Sequence, residues 1–258
     1  MKKTSWLILT LGILLGLSFS AQGQAIDQFK VMVFSKTDGF HHESINEGVT
    51  ALRALAKRHQ FALDWHEDAG RFNDRSLEQY HVIIFLNTTG NILNEEQQAA
   101  MERFIRSGKG FVGIHSASDT EYEWEWYTKM VGRTFHIHPA NQTAELVVLD
   151  RKFPGVERMP DRFLWTDEWY EFGAERIKGL NYLLAVDEKT YDPKADWGRV
   201  KGTGMGDFHP ISWYHNYDGG RAFYTALGHI PATFSDALFM EHIFGGIYWA
   251  ATGKGLKK

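Results

Sequence analysis

Residues 82–86 read VIIFL, five consecutive apolar side chains with no polar residue alternating among them. A strand of that kind is covered on both faces, so the sheet that holds it needs helices above and below. The neighbouring sequence supplies both. Phe29–Ser35 (FKVMVFS), Phe61–His66 and Gly110–His115 (GFVGIH) are further short strand-like runs. Between the first two, Glu43–His59 carries Ile45, Val49, Leu52, Leu55 and Ala56 at helical spacing, with acidic residues near its start. Asn94-Glu95-Glu96-Gln97 reads as an N-cap with an acidic first turn, opening a helix to Ser107 that Gly108 stops. A further helix is predicted over Asp119–Val131. The alternation of strand and helix predicts an α/β fold, a flavodoxin-like three-layer sandwich with a mainly parallel sheet.

After residue 132 the pattern changes to short strand candidates at Glu145–Leu149, Phe163–Trp165, Tyr182–Val186, Ile211–Tyr214 and Ala222–Ala226. These predict C-terminal hairpin additions to the sheet, with Asp218-Gly219-Gly220 as the turn between the last two. Ser235–Ala251 predicts a closing helix. No Pro/Ser-rich linker interrupts residues 26–258, which are expected to form one domain.

The first 25 residues stand apart. Lys2 and Lys3 precede an apolar run from Trp6 to Leu17, and small residues at Gly23 and Ala25 suit the −3 and −1 positions of a cleavage point. The run is shorter than the roughly 18–20 residues that span a bilayer, so it reads as a signal peptide and places the mature protein outside the cytoplasm, secreted or periplasmic. There is no cysteine in the chain, which removes thiol nucleophiles, thiolate metal sites and redox CxxC chemistry. With 28 basic against 32 acidic residues there is no basic surface with which to neutralise nucleic-acid phosphates, and the membrane enters only through export. No nucleotide cofactor is indicated, and homo-oligomers remain open.

In a parallel α/β sheet, ligands bind where loops leave the carboxyl ends of the strands. The first strand ends in KTDGFHHES (residues 36–44) and the fourth in HSASDT (115–120), and both open onto one crevice. Gly113-Ile114-His115-Ser116-Ala117 has the strand-turn shape of a nucleophile elbow with histidine at the nucleophile's place. Ser116, with His115 or His42 as base, is one reading of it. His136 and His138 share a face if extended, a spacing that suits a metal and that two solvent-facing histidines satisfy equally. Asp167 and Glu168 lie between aromatics, and His229 follows the last strand. Carboxylates with several imidazoles are what a divalent ion takes where no thiol is present: zinc first, manganese or iron second. Caps and salt bridges are the alternative use of the two acids. Residues 207–215 (DFHPISWYH) offer aromatic faces beside hydrogen-bonding groups, suited to a sugar ring with an apolar face and a polar edge. Core packing is the competing use of such aromatics, including Trp124, Trp126 and Trp213.

Five segments, FSKTDGFHHESI (34–45), GFVGIHSASDT (110–120), WYTKMVGRTFHIHP (126–139), TDEWYEF (166–172) and GGRAFYTALGH (219–229), resemble the ThuA-like, or trehalose-utilisation, family in the same order. The resemblance implies a class I glutamine amidotransferase-like fold without amidotransferase activity, since His115 stands at the elbow. Where the family often has Phe-Arg-His, this chain reads Phe40-His41-His42. The motif positions imply a metal set of His42, His115, Glu168 and His229, with His138 next. Asp119 and Asp167 are then expected beside the metal or as general acid and base together with His115. His41, Tyr170, His209 and Trp213 are the expected substrate contacts. The implied role is disaccharide or keto-sugar utilisation by metal-assisted hydrolysis, elimination or isomerisation. A non-catalytic carbohydrate-binding protein is the alternative.

Overall fold

The computed structural model describes residues 27–173 and 176–255, and the expected signal peptide lies outside them. The elements in chain order are β1 (Lys30–Phe34), α1 (Ile45–His59), β2 (Ala62–His66), a short α2 (Asp74–Leu77), β3 (Val82–Leu86), α3 (Glu95–Arg106) and β4 (Gly110–Ile114). They continue with α4 (Glu125–Val131), β5 (Gln142–Val148), β6 (Arg162–Asp167), β7 (Asn181–Asp187), β8 (Ala195–Asp196), β9 (Lys201–Gly202), β10 (His209–Tyr217), β11 (Gly220–Thr225) and α5 (Ala237–Thr252). Among the described residues no helix is long and apolar enough to cross a membrane.

Nine strands form one sheet in the order β2-β1-β3-β4-β11-β10-β7-β5-β6. The pairs from β2 to β11 are parallel, and those from β11 to β6 are antiparallel. Every residue of β3 and β4 is buried, as the unalternated VIIFL run requires. α1 packs beside α5, and α2 beside α3, in the helical layers of an α/β three-layer sandwich. At Gly246 of α5 a Cβ would collide with the Phe223 ring, so the missing side chain is what lets this helix lie close on the sheet.

Local chemistry explains the element ends. Asn94 and Gln97 exchange the reciprocal bonds of a capping box at 2.9 and 3.0 Å. The Asp218-Gly219 turn places both residues at positive φ, 45° and 89°, matching the twist of a two-residue hairpin between β10 and β11. The helix expected over Asp119–Val131 instead begins at Glu125. Glu121 stands in the left-handed region, φ 53°, and its buried carboxylate accepts the Ile92 and Leu93 N–H groups at 2.8 and 2.7 Å. Those bonds pull the chain out of helical register. The β8–β9 hairpin, two residues a side, was too short to show as periodicity.

Candidate active site

The loops after β1, β3, β4, β11 and β6 come to one sheet edge, where four ionisable side chains meet. His115 follows β4 directly and takes φ 51°, a sharp left-handed turn that a non-glycine residue adopts at some cost. It is fully buried. Its Nδ1 donates to the Ala226 carbonyl at 2.8 Å beyond the end of β11. With the proton held there, Nε2 carries a lone pair into the cleft.

His42 comes from the β1–α1 loop. Its Nε2 lies 3.2 Å from His115 Nε2, and its Nδ1 lies 3.3 Å from Ser116 Oγ, which can accept that ring N–H. The hydroxyl of Ser116 is wholly buried and oriented on the imidazole, so it supports His42 rather than presenting a nucleophile to substrate. Beside it, Ser44 Oγ and Asn87 Nδ2 both donate to the Gly228 carbonyl, at 3.0 and 3.2 Å, joining the loops after β1, β3 and β11.

Glu168 and His229 complete the group. Glu168 Oε2 lies 3.4 Å from His115 Nε2 and 3.3 Å from His229 Nδ1, while His229 Nδ1 is 3.2 Å from His115 Nε2. Asp167 sets this arrangement from beneath. Its Oδ1 accepts the Glu168 and His229 amides at 3.0 and 3.1 Å, and its Oδ2 accepts the Gly228 amide at 3.0 Å. Buried and occupied by amides, Asp167 positions the two neighbours. Two places were expected for Asp167, beside the metal or as general acid and base, and these bonds are those of the first. Gly228, at φ 118°, supplies a backbone turn that a side chain would strain.

The ligand atoms of His42, His115, Glu168 and His229 all lie within 4.8 Å of one another, and the group could hold a metal. A tetrahedral zinc with ligands at about 2.0–2.1 Å would separate them by about 3.3–3.4 Å, close to the short contacts here. The tautomers agree. Lone pairs converging without a proton or cation between them repel, whereas three imidazoles and a carboxylate are a common donor set for a borderline ion. Burial, followed by the neighbouring His115, holds His42 well below its ordinary pKa, so it stays neutral and available as a ligand. Burial opposes the charge on Glu168, but contacts with His115 and His229 outweigh it and hold the carboxyl well below the usual range. His229 shifts the other way: burial lowers it, and Glu168 more than offsets this.

Three further groups surround the set. His138 Nε2 lies 3.2 Å from Glu168 Oε1, with Nδ1 donating to the Pro139 carbonyl at 2.8 Å. His136 is exposed, so only one histidine of that pair reaches the cluster. The Tyr170 hydroxyl, buried, is 3.0 Å from His115 Nε2. Asp119 interacts electrostatically with His115 and His138, and burial raises its pKa against the opposing bond from the Tyr122 hydroxyl at 2.7 Å. A half-buried carboxyl with a raised pKa is suited to proton transfer.

The expected aromatic wall at His209 and Trp213 is overturned. Trp213 is fully buried, and its Nε1 donates to the Val131 carbonyl at 2.8 Å. His209 is buried with Nδ1 on Glu188 at 2.7 Å and Nε2 on the Tyr170 carbonyl at 2.8 Å. It braces the loop after β6 that presents Tyr170 and has no free edge for substrate. Trp124 and Trp126 stack on each other at 5.2 Å and are half-buried. His41 is exposed, with Nδ1 3.3 Å from Thr37 Oγ1. Phe40 and Trp197, which sequence reasoning passed over, lie open beside the cluster. A single aromatic in a polar loop carries no periodic signal, so only the folded chain reveals them.

A cavity of about 840 Å³ lies elsewhere, lined by Leu55, His59, Phe244 and Tyr248 where α1 ends. His42 precedes the other end of that 15-residue helix, about 20 Å away along its axis.

The profile of the ThuA family, described as trehalose utilisation, matches residues 30–250. A ThuA-like protein from Bacteroides uniformis is similar in structure, with a TM-score of 0.73 at 22% identity, covering 92% of this chain and 98% of that one. A ThuA-like protein from Parabacteroides merdae gives a TM-score of 0.70 at 19% identity, covering 89% and 92%. These likenesses concern the fold. No curated protein matches the sequence.

Proposed function

Because the chain belongs to the ThuA, or trehalose utilisation, family, we propose that it is an exported enzyme acting on a disaccharide or keto-sugar through a metal-holding histidine–carboxylate centre. The observation that carries this reading is the convergence of His42, His115, Glu168 and His229, with the His115 lone pair directed inward by its bond to Ala226. A divalent ion, zinc first and manganese or iron second, would supply Lewis-acid polarisation of a sugar hydroxyl or carbonyl oxygen there.

The protein's own groups account for the rest. Asp119, held by Tyr122, accepts or returns a proton, and its raised pKa suits both directions. Tyr170 can donate a hydrogen bond where negative charge develops beside His115. Asp167 keeps Glu168 and His229 in place through their amides. Hydrolysis, elimination and isomerisation next to a carbonyl all draw on a polarised oxygen beside a positioned carboxylate. Lys2, Lys3 and the Trp6–Leu17 run support export.

Elemental analysis of protein purified without a histidine tag, paired with product analysis on keto-disaccharides, tests the reading. One bound ion per chain and turnover are expected in the wild type, and both are lost in His115→Ala and His229→Ala. Stoichiometric metal retained in both variants would overturn the metal assignment. Tight sugar binding without any product would instead favour a non-catalytic carbohydrate-binding protein.

A further inference from the structure

The chain has 9 Trp, 10 Tyr and 18 Phe residues, and among those described only Phe40, Tyr122 and Trp197 are exposed. All three border the same cluster. Phe40, 65% exposed, sets its ring edge-on to the His42 ring at 4.8 Å. Trp197, 52% exposed, meets the His138 ring edge-on at 4.8 Å and lies 6.0 Å from Phe135. The Tyr122 hydroxyl donates to Asp119 at 2.7 Å and lies 2.9 Å from the Phe135 carbonyl. A scattered exposed apolar side chain needs no explanation, but three aromatics gathered around one polar centre are a surface built for a ligand.

We propose that Phe40 and Trp197 are two stacking platforms, one at each end of the histidine–carboxylate cluster, for the two rings of a non-ionic disaccharide whose linkage lies over the cluster. This rests on the carbohydrate reading above and specifies the size of its substrate. The two rings meet opposite sides of the site: Phe40 touches His42, and Trp197 touches His138, which stands beside the group with its Nε2 on the far oxygen of Glu168. The backbone behind each ring is also fixed. Phe40 precedes His41 and His42, and its carbonyl accepts from Thr89 Oγ1 at 3.0 Å. Trp197 sits at the tip of the β8–β9 hairpin, where its amide donates to the Val200 carbonyl at 2.9 Å and Lys201 pairs with Asp196 at 2.7 Å. A pyranose presents an apolar C–H face and a hydroxyl edge. The exposed aromatic faces take the first, and side chains in the same two loops, His41 at one end and Asp196 and Arg199 at the other, offer partners for the second.

Calorimetry on the whole metal-loaded protein tests this with trehalose, maltose, cellobiose and sucrose as two-ring probes and glucose as the one-ring probe. At least one disaccharide is expected to bind 10-fold or more tighter than glucose. Phe40→Ala and Trp197→Ala should each weaken that binding about 10-fold without changing metal content, and Phe40→Tyr and Trp197→Phe should restore most of it. Glucose binding as tightly as the disaccharides, alanine variants that bind like the wild type, or absence of binding by all four disaccharides would each overturn the proposal. A wild type that takes up no divalent ion yet shows aromatic-dependent disaccharide binding would sink the metal reading and leave the two platforms standing.

Discussion

His115 Nε2 and His42 Nε2 face each other at 3.2 Å in a buried cleft, and His115 cannot place a proton between them while its Nδ1 donates to Ala226. A cation relieves that contact, as does a proton on His42 Nε2 with Ser116 Oγ donating to Nδ1, while the Tyr170 hydroxyl and His229 Nδ1, 3.0 and 3.2 Å away, can donate to the His115 lone pair. Burial holds His42 neutral, so its ring can turn a lone pair toward a cation.

A bound divalent ion should therefore stabilise the fold measurably. At a free concentration of 100–1,000 times its dissociation constant, an ion bound by the native state alone adds roughly 3–4 kcal/mol. For a domain of this size that corresponds to about 6–16 °C in Tm. Calorimetric scans before and after chelation should show a fall of that order in the wild type and almost none in His229→Ala.

Asp167→Asn should weaken metal binding without touching the metal. One carboxylate oxygen becomes an amide nitrogen facing the N–H groups that Asp167 now accepts, so the peptide carrying Glu168 and His229 must shift. Loss of a supporting group of this kind costs about 10–100-fold in affinity. Metal titration monitored by calorimetry checks it, and an unchanged dissociation constant would refute the positioning role.

Asp119→Asn should lower turnover by about 100-fold or more, the range expected for removing a general base. Tyr122→Phe makes a finer distinction. The Tyr122 bond favours the ionised carboxyl, so its removal raises the Asp119 pKa further. Proton acceptance needs the ionised form, and the acidic limb of the kcat–pH profile should move to higher pH in Tyr122→Phe.

His242 makes the fold sensitive to acid away from the site. The buried Ser212 hydroxyl donates to the Tyr224 carbonyl, so His242 Nε2 donates to Ser212 Oγ at 2.9 Å and Nδ1 is left without a partner. Burial pushes the His242 pKa down to about 3, against an ordinary value of 6.5. Between those values the unfolded chain binds a proton that the native state refuses, so stability rises with pH across this window and is lost as pH falls below about 6.5. Urea unfolding of wild type and His242→Leu at pH 7.5, 6 and 5 should show the wild type losing on the order of 1 kcal/mol more per pH unit below pH 6. Identical slopes would contradict a neutral buried imidazole.

Mass spectrometry of the protein recovered from the periplasm or medium of an expressing bacterium should give a mature N-terminus following Ala25 or Gly23. Intact Met1 in the exported fraction would contradict cleavage.

The architecture was legible in the sequence because its signals are local. VIIFL requires cover on two faces wherever it sits, Asn94 with Gln97 caps a helix by its own spacing, and Asp218-Gly219 turns a hairpin with the conformations those two residues permit. The motif residues of the ThuA-like resemblance named the histidines and Glu168 that the fold gathers, although 126 positions separate His42 from Glu168. What each polar or aromatic residue faces was decided in three dimensions. Trp213 and Phe40 are both aromatics in histidine-rich stretches, yet one lies beneath the sheet's helices, bonded to Val131, and the other stands in water against His42. Asp167 and Glu168 are adjacent carboxylates, yet one accepts three backbone amides and the other turns to three imidazoles. Sequence spacing determines which residues share a strand or a turn. Burial and partnership depend on segments far apart in the chain, and these are set only when the sheet closes and the loops after β1, β4, β6 and β11 meet at one edge.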